Sequence, residues 1–181
     1  EPVAEVALRQ FQTLAVVQTR ARPLGIGIVV AATLRLLPEE ARARVTVTVP
    51  AQLPAVRGDA EALRQVLLNL LRNAFDAIAE KGGAGRVFLT LALRRHGLGS
   101  GDAVTLTVRD NGPGFAPGAI GNLFVPFHTT KAAGTGLGLP ISQRIVENHR
   151  GLIEVTAPEG GGAQFTVVLP ATLGPRAEPP A

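Results

Sequence analysis

Cysteine, tryptophan and tyrosine are all absent from the 181 residues of this chain. Without cysteine the chain can form neither a disulfide framework nor a thiolate metal site. No apolar run reaches the length of a membrane span, and no secretory signal is visible at the start. We expect a cytoplasmic domain, and the first residue, which is not Met, suggests a piece of a longer protein. Whether that longer protein is anchored in a membrane is left open.

Features of a nucleic-acid-binding surface are also scarce. The net charge is +4, but the arginines are scattered along the chain and do not form one basic patch. Seven phenylalanines are the only Phe, Trp or Tyr residues, and they are not interleaved with the arginines as a stacking surface would require. The three histidines show no metal-ligand spacing. We therefore expect no nucleic-acid partner and no histidine metal site.

The chain does contain a pair of amides, Asn69 and Asn73, within an apolar helical run. Residues four apart lie on one face of a helix. Asp59 is a good N-cap for this helix, and Gly82-Gly83 suit a left-handed C-terminal cap. The amides border the apolar face, where they are either solvated or bonded to a ligand, because an unpartnered buried amide is costly. The helix alone leaves both interpretations open.

Hydrophobic periodicity predicts the remaining elements. Further helices are predicted at residues 3–21, 26–37 and 138–149. Alternating residues predict strands at 45–49, 87–93, 104–108, 152–156 and 164–169. Such strands have one covered and one solvated face, so we expect a two-layer α/β sandwich. Long loops are predicted at 94–102 and 111–136.

Asp110 ends one of these strands with its side chain on the core face. It shares the parity of Val104, Leu106 and Val108, so its carboxylate needs a hydrogen-bond donor. Gly112 follows, and Gly114 after it, which allows a tight turn and the close approach of a ligand. The donor could be the amino group of a flat heterocycle such as adenine. An ordinary Asp-Asn-Gly turn at a strand end is the alternative.

A glycine-rich segment at 134–138 directly precedes the last predicted helix. Glycines at a helix N-terminus expose backbone N–H groups that bind phosphate well. The spacing is neither that of a dinucleotide-binding strand–helix turn nor that of a Walker loop. A flexible linker is the alternative, which the adjoining helix disfavours.

Four motifs occur in order along the chain and together resemble a known family. They are Asn69-x-x-x-Asn73, Asp110-x-Gly112-x-Gly114, Phe124-x-x-Phe127 with Thr129-Thr130-Lys131, and Gly134-Thr135-Gly136-Leu137-Gly138. They resemble the N, G1, F and G2 boxes of the histidine protein kinase catalytic domain, in the GHKL ATPase group. The resemblance implies a Bergerat fold, with a mixed, mostly antiparallel sheet covered on one face by helices. It implies a catalytic domain at 23–172 and a remnant of the dimerisation hairpin at 1–22. The tail at 173–181 is rich in Pro and Ala, and that composition predicts disorder.

The resemblance implies a site for ATP and Mg²⁺. Asn73 would bind the metal through its amide oxygen, and Asn69 would support the metal and phosphates. Asp110 would accept the adenine amino hydrogen, and Gly112 and Gly114 would let the backbone close on the base. Backbone amides that hold the phosphates would come from Gly134, Thr135, Gly136, Leu137 and Gly138.

The resemblance also implies a mobile lid at 115–133. Phe124 and Phe127 would anchor the lid on the domain, and Lys131 would reach the phosphates as a flexible point charge. The residues with a catalytic role would then be Asn69, Asn73 and Lys131.

Asn69 stands where related ATPases of the group carry a water-activating glutamate, and an amide cannot act as a general base. The resemblance therefore implies transfer of the γ-phosphate to a histidine on a dimerisation domain, and then to a response regulator. No histidine precedes His96, so we expect this piece, a monomer cut from a homodimer, to bind ATP without phosphorylating itself.

Two alternatives remain at this stage. One is a pseudokinase or interaction module that holds ATP without transfer. The other is a serine-kinase anti-sigma factor of the same group, which the helical pattern at 3–21 disfavours.

The chain also departs from the family pattern, with Arg150 where glycine is usual and Ala163 near a usual threonine.

Overall fold

The computed structural model describes residues 21–99, 101–129 and 135–172. The helix predicted at 3–21, except for its last residue, and the tail predicted from 173 lie outside the described residues. Lys131 and Gly134 lie outside them as well, so the roles expected for these two residues stay predictions.

The described part of the chain forms seven strands in two sheets. They are β1 (Arg22–Leu24), β2 (Val45–Thr48), β3 (Val56–Gly58), β4 (Val87–Leu98), β5 (Gly101–Asp110), β6 (Leu152–Thr156) and β7 (Gln164–Pro170). β1 and β3 make a small antiparallel sheet. The large sheet has the order β2-β4-β5-β7-β6, with β2 parallel to β4 and the other neighbours antiparallel. The expected mixed, mostly antiparallel sheet is confirmed.

Four α-helices accompany the sheets. They are α1 (Ile26–Arg35), α2 (Glu39–Arg42), α3 (Ala60–Glu80) and α4 (Gly138–Asn148), with a 3-10 turn at Ala119–Asn122. α3 packs on β4 and β5 and also contacts α1 and α4, while α4 packs on β6. None of the helices in the described ranges is long and apolar enough to cross a membrane.

The core lies between the large sheet and these helices. β4 buries alternate residues and α3 buries one apolar stripe, as the period of each element requires. β5 and β7 lie in the middle of the sheet and bury continuous runs, at 103–106 and 165–169. The buried strand residues include Val87, Leu89, Leu91, Val104, Leu106 and Val108, and the buried residues of α3 are Leu63, Val66, Leu67, Leu70, Leu71, Ala74 and Ile78. The predicted two-layer α/β sandwich is therefore confirmed.

The prediction of a long loop at 94–102 is wrong. β4 continues to Leu98 and β5 begins at Gly101, so the two strands form a hairpin with a register shift between Arg94 and Leu98. The tip carries polar residues, including an ion pair between Arg95 and Asp102, and therefore lacks the apolar alternation that marks a strand. The short strands β1 and β3 were not predicted, because three residues are too few to show a period.

Candidate functional site

α3 is the element that spans the site, and both of its ends are fixed as predicted. The Asp59 carboxylate caps the helix by accepting from the backbone N–H groups of Glu61 and Ala62, at 2.9 and 3.2 Å. At the other end Gly82 and Gly83 have φ of 100° and 82°, and the Gly83 N–H bonds to the Ile78 carbonyl at 2.9 Å. The predicted caps are confirmed.

Asp110 occupies the core face of β5 as its strand parity predicted, and it is only 3% exposed. Its Oδ1 accepts from the backbone N–H groups of Gly112, at 2.8 Å, and Ala163, at 3.2 Å. Burial raises the pKa of the Asp110 carboxyl above its ordinary value, although these two hydrogen bonds act in the opposite direction. Oδ2 has no partner among the described residues, which leaves an acceptor for a ligand.

Glycines surround this carboxylate because the backbones approach too closely for a side chain. A Cβ on Gly112 would lie 2.9 Å from Asp110 Oδ1 and 3.0 Å from the Ala77 Cβ. Gly114 has φ of 82° and faces the Gly162 carbonyl. A Cβ on Gly162, with φ of 89°, would lie 2.0 Å from the Asp110 carbonyl oxygen. Sequence reasoning missed Gly162, although the run of glycines at 160–162 marked a tight segment.

Hydrogen bonds of the Lys81 and Asn111 side chains hold the turn that follows Asp110 in place, and the sequence did not predict a role for either residue. Lys81 Nζ donates to the carbonyls of Asn111, at 3.1 Å, and Gly112, at 3.4 Å. The Asn111 side chain accepts from the backbone N–H of Arg86 at 2.8 Å. The turn is thus attached both to the end of α3 and to the start of β4.

The two amides of α3 have different surroundings. Asn69 Nδ2 donates to the Gly138 carbonyl and to Ser142 Oγ, both at 3.2 Å. Ser142 Oγ itself donates to the Gly138 carbonyl at 2.8 Å. The Asn73 side chain is half-buried and has no hydrogen-bond partner among the described residues. Asn69 therefore attaches α3 to the start of α4, whereas Asn73 is available to a ligand.

The N–H groups at the start of α4 have no hydrogen-bond partner within the described ranges of the chain. Leu137 is the N-cap residue, and no side chain of the described residues caps this helix. Pro140 has no N–H, so Gly138 and Leu139 supply the exposed donors of the first turn. Gly136 has φ of 67°, and its carbonyl accepts from the Phe127 N–H at 3.1 Å. This terminus has the properties of an anion site.

The segment at 115–129 differs from the expected lid anchor. Phe127 is 51% exposed and has φ of 63°, so the prediction that it anchors the lid on the domain is wrong. Leu123 and Phe115 pack against the core instead, and Phe115 meets Phe165 edge-to-face with ring centroids 5.9 Å apart. The left-handed backbone of Phe127 is a feature that its spacing from Phe124 in the sequence does not report.

α3 places three parts of the site along one line: the start of α4, the Asn73 amide and the turn that follows Asp110. Asn69 bonds to the start of α4, and Ala77 contacts the Gly112 turn, with Asn73 between them. Eight residues of helix separate Asn69 from Ala77, or about 12 Å. One face of one helix therefore joins a buried carboxylate to an amide and a helix N-terminus that lack side-chain partners in the part of the chain that the structure describes.

Comparison with known proteins agrees with this arrangement. Residues 58–173 match the family described as histidine kinase-, DNA gyrase B-, and HSP90-like ATPase. Sensor histidine kinase ZraS of Salmonella typhi is 40% identical over 141 residues, which are 76% of this chain and 29% of that protein. The C4-dicarboxylate transport sensor protein DctS of Rhodobacter capsulatus is 40% identical over 131 residues, 72% of this chain and 19% of that protein. The chain thus spans less than a third of either protein.

Solved structures show the same fold. The full-length ShkA structure in complex with AMPPNP has a TM-score of 0.75 and 28% identity, covering 93% of this chain and 35% of that one. The catalytic domain of histidine kinase ThkA has a TM-score of 0.71 and 26% identity, covering 84% of this chain and 97% of that one. The chain therefore belongs to the histidine kinase-, DNA gyrase B-, and HSP90-like ATPase family, as a catalytic domain of the histidine kinase type.

Proposed function

We propose that this chain binds ATP and Mg²⁺ and transfers the γ-phosphate to a histidine on a dimerisation domain of the same full-length protein. The observation that carries the proposal is the line along α3, from the Gly138 contact of Asn69 through Asn73 to the Ala77 contact with Gly112. ATP has a flat base with an amino donor at one end and anionic phosphates at the other. The free Asp110 oxygen suits the base, and the uncapped start of α4 suits the phosphates.

Asn73 fits a role in holding Mg²⁺. The metal favours oxygen ligands, keeps several waters and completes its shell with substrate phosphates, so the protein needs to supply only one or two oxygens, and the Asn73 amide oxygen is one. Among the described residues no group of three or more His, Cys, Asp or Glu could hold a metal alone. When bound, the metal supplies charge neutralisation to the phosphates.

Asn69 favours transfer over hydrolysis in this proposal. Its Nδ2 is engaged by Gly138 and Ser142, and an amide cannot accept a proton from water. The domain therefore orients ATP and lets a separate nucleophile react. The histidine would come from the dimerisation domain, and a response regulator would receive the phosphoryl group afterwards. In the homodimeric full-length protein this domain would work in the cytoplasm.

Calorimetry with Mg-ATP tests the site. We expect Asn73→Ala and Asp110→Ala each to lower the affinity about tenfold or more. Arg72→Ala, at an exposed neighbour on α3, and Asp102→Asn, on the far end of β5, are matched controls with unchanged binding. Unchanged binding in Asn73→Ala and Asp110→Ala would refute the site.

Transfer is tested by mixing the chain, labelled ATP and a separately supplied histidine-bearing helical domain. Label on the acceptor histidine that is lost with Asn73→Ala supports the kinase role. Tight ATP binding without label on any acceptor from related kinases would identify a module that only holds the nucleotide.

A further inference from the structure

His149 is a buried histidine outside the ATP site, and both of its ring nitrogens are bonded. It follows α4 directly and is 6% exposed. Nε2 lies 2.9 Å from the backbone nitrogen of Asp59, and Nδ1 lies 2.7 Å from the carbonyl oxygen of Ile145. A backbone N–H can only donate, so Nε2 is the acceptor and the ring hydrogen is on Nδ1, which donates to Ile145.

These two bonds attach the end of α4 to the beginning of α3. The Asp59 N–H belongs to the N-cap residue of α3, and the Ile145 carbonyl belongs to the last turns of α4. The ring also occupies the space over Gly58, where an added Cβ would lie 2.9 Å from His149 Cδ2. The two hydrogen bonds and the contact with Gly58 together indicate one fixed position of the ring.

Asn69 makes the second attachment between the same two helices, from the middle of α3 to the start of α4. It bonds to Gly138 and Ser142 at the start of α4. Ten residues of α3 separate Asp59 from Asn69, so the two attachments lie about 15 Å apart on an antiparallel pair. The apolar contacts between the helices are non-directional and permit sliding, whereas two directional hydrogen-bonded points set the register.

We propose that His149 is a positioning residue for the phosphate end of the site. This inference rests on the proposed function, because the phosphate end is formed between Asn73 of α3 and the first turn of α4. The adenine end is formed by α3 with β5 and the Gly162 segment and does not involve α4. Loosening the α3–α4 register should therefore weaken contacts to phosphate and leave contacts to the base intact.

Two amide substitutions separate the two bonds of the ring. His149→Gln places an amide oxygen near the position of Nε2, which retains an acceptor for the Asp59 N–H. His149→Asn places its amide near Nδ1, which retains a donor for Ile145 and removes the bond between the helices. Mg-ATP and adenosine are the two ligands, measured by calorimetry well below the unfolding temperature of each variant.

We expect His149→Asn to bind Mg-ATP about fivefold or more weakly and adenosine within about twofold of the unsubstituted chain. His149→Gln should recover most of the Mg-ATP affinity. Amide hydrogen exchange at Asp59 should accelerate in the Asn variant and not in the Gln variant. Equal loss for both ligands, or equal behaviour of the two variants, would overturn the positioning role while the proposed function stands.

If the unsubstituted chain binds neither ligand, the proposed function fails and the positioning role fails with it. Should His149→Asn not fold, Gly58→Ala replaces it, because the added Cβ would lie 2.9 Å from His149 Cδ2 and 3.0 Å from Leu63 Cδ1, and so displaces both sides of the α3–α4 contact without removing the ring. Its expected result is the same selective loss of Mg-ATP affinity, and unchanged Mg-ATP binding by folded Gly58→Ala would overturn the inference.

Discussion

The two ends of the candidate ATP site are built in different ways. At the adenine end, Asp110 is buried, one of its oxygens already accepts two backbone N–H groups, and glycines pack against it. At the phosphate end, Asn73 has no partner in the described part of the chain, and no described side chain caps the N-terminus of α4. The adenine end is thus preformed, whereas the phosphate end keeps its donors and acceptors free. A neutral base needs a fixed shape, and anionic phosphates need unsatisfied donors.

Gly162→Ala should break the adenine end and have the largest effect on stability. The new Cβ would lie 2.0 Å from the Asp110 carbonyl oxygen, at a φ of 89° that side chains rarely adopt. We expect a loss of about 3 kcal/mol in the free energy of unfolding, from backbone strain and overpacking together. Urea denaturation measures it.

Gly160→Ala is the matched control for that substitution. Gly160 has nearly the same φ, 90°, but a Cβ there would meet nothing within 4 Å. It should lose only the backbone contribution, about 1–2 kcal/mol. If both variants lost the same free energy of unfolding, the close approach of the new Cβ to Asp110 would contribute nothing to the loss in Gly162→Ala.

Asn69→Asp should break the phosphate end instead. A carboxylate cannot donate, so it would oppose the Gly138 carbonyl that now accepts from Nδ2. We expect a loss of about 1–3 kcal/mol in stability, together with weaker Mg-ATP binding. Asn69→Ala removes the donor without adding a negative charge and should cost less. Calorimetry with adenosine should be unaffected by either substitution, and a matched loss of adenosine affinity would contradict the separation of the two ends.

Acid should weaken the adenine end through Asp110. Burial raises the pKa of this carboxyl. In the proposed site, protonation of Oδ2 would replace the acceptor for the adenine amino group by a donor. Adenosine affinity should therefore fall as the pH decreases through the raised pKa, at a higher pH than an exposed aspartate would titrate.

Asp110 affects the stability of the fold with a pH dependence opposite to its effect on adenosine binding. Its pKa is higher in the folded than in the unfolded chain, so the folded state binds more protons between the two values. Stability then decreases as the pH rises through this window. Asp110→Asn should remove the pH dependence of adenosine binding, measured by calorimetry from about pH 4, near the ordinary pKa of an aspartate, up to about pH 8. If Asp110→Asn kept the pH dependence of adenosine binding seen in the unsubstituted chain, Asp110 would be excluded as the titrating group.

Sequence periodicity predicted the elements that are long and half-buried. α3 with both caps, β6 and the core face of Asp110 follow from repeats of 3.6 and 2 residues and from cap chemistry. The hairpin tip at 94–102 could not be predicted, because solvated strand residues carry no alternation. Contacts such as Lys81 to Asn111 and His149 to Asp59 join residues far apart in sequence. Register between elements fixes these contacts, and a single sequence does not report it.

Arg150→Gly should have the smallest effect and lies outside both ends of the site. Arg150 follows the C-cap of α4 with φ of 58°, a position where helices favour glycine. The Gly151 N–H bonds to the Val146 carbonyl at 2.9 Å, so the left-handed turn closes the helix as a glycine would. Relief of the left-handed strain exceeds the added entropy of glycine in the unfolded chain, and we expect a gain of about 0.5–1 kcal/mol.

Arg150→Ala is the control, because alanine keeps the backbone strain and removes only the exposed side chain. It should leave the free energy of unfolding nearly unchanged in urea denaturation. Mg-ATP and adenosine should bind both variants as they bind the unsubstituted chain. A stability gain shared by the alanine variant would assign the effect to the arginine side chain rather than to the turn. A change confined to Mg-ATP affinity would instead extend the phosphate end of the site to the last turn of α4, where His149 is attached.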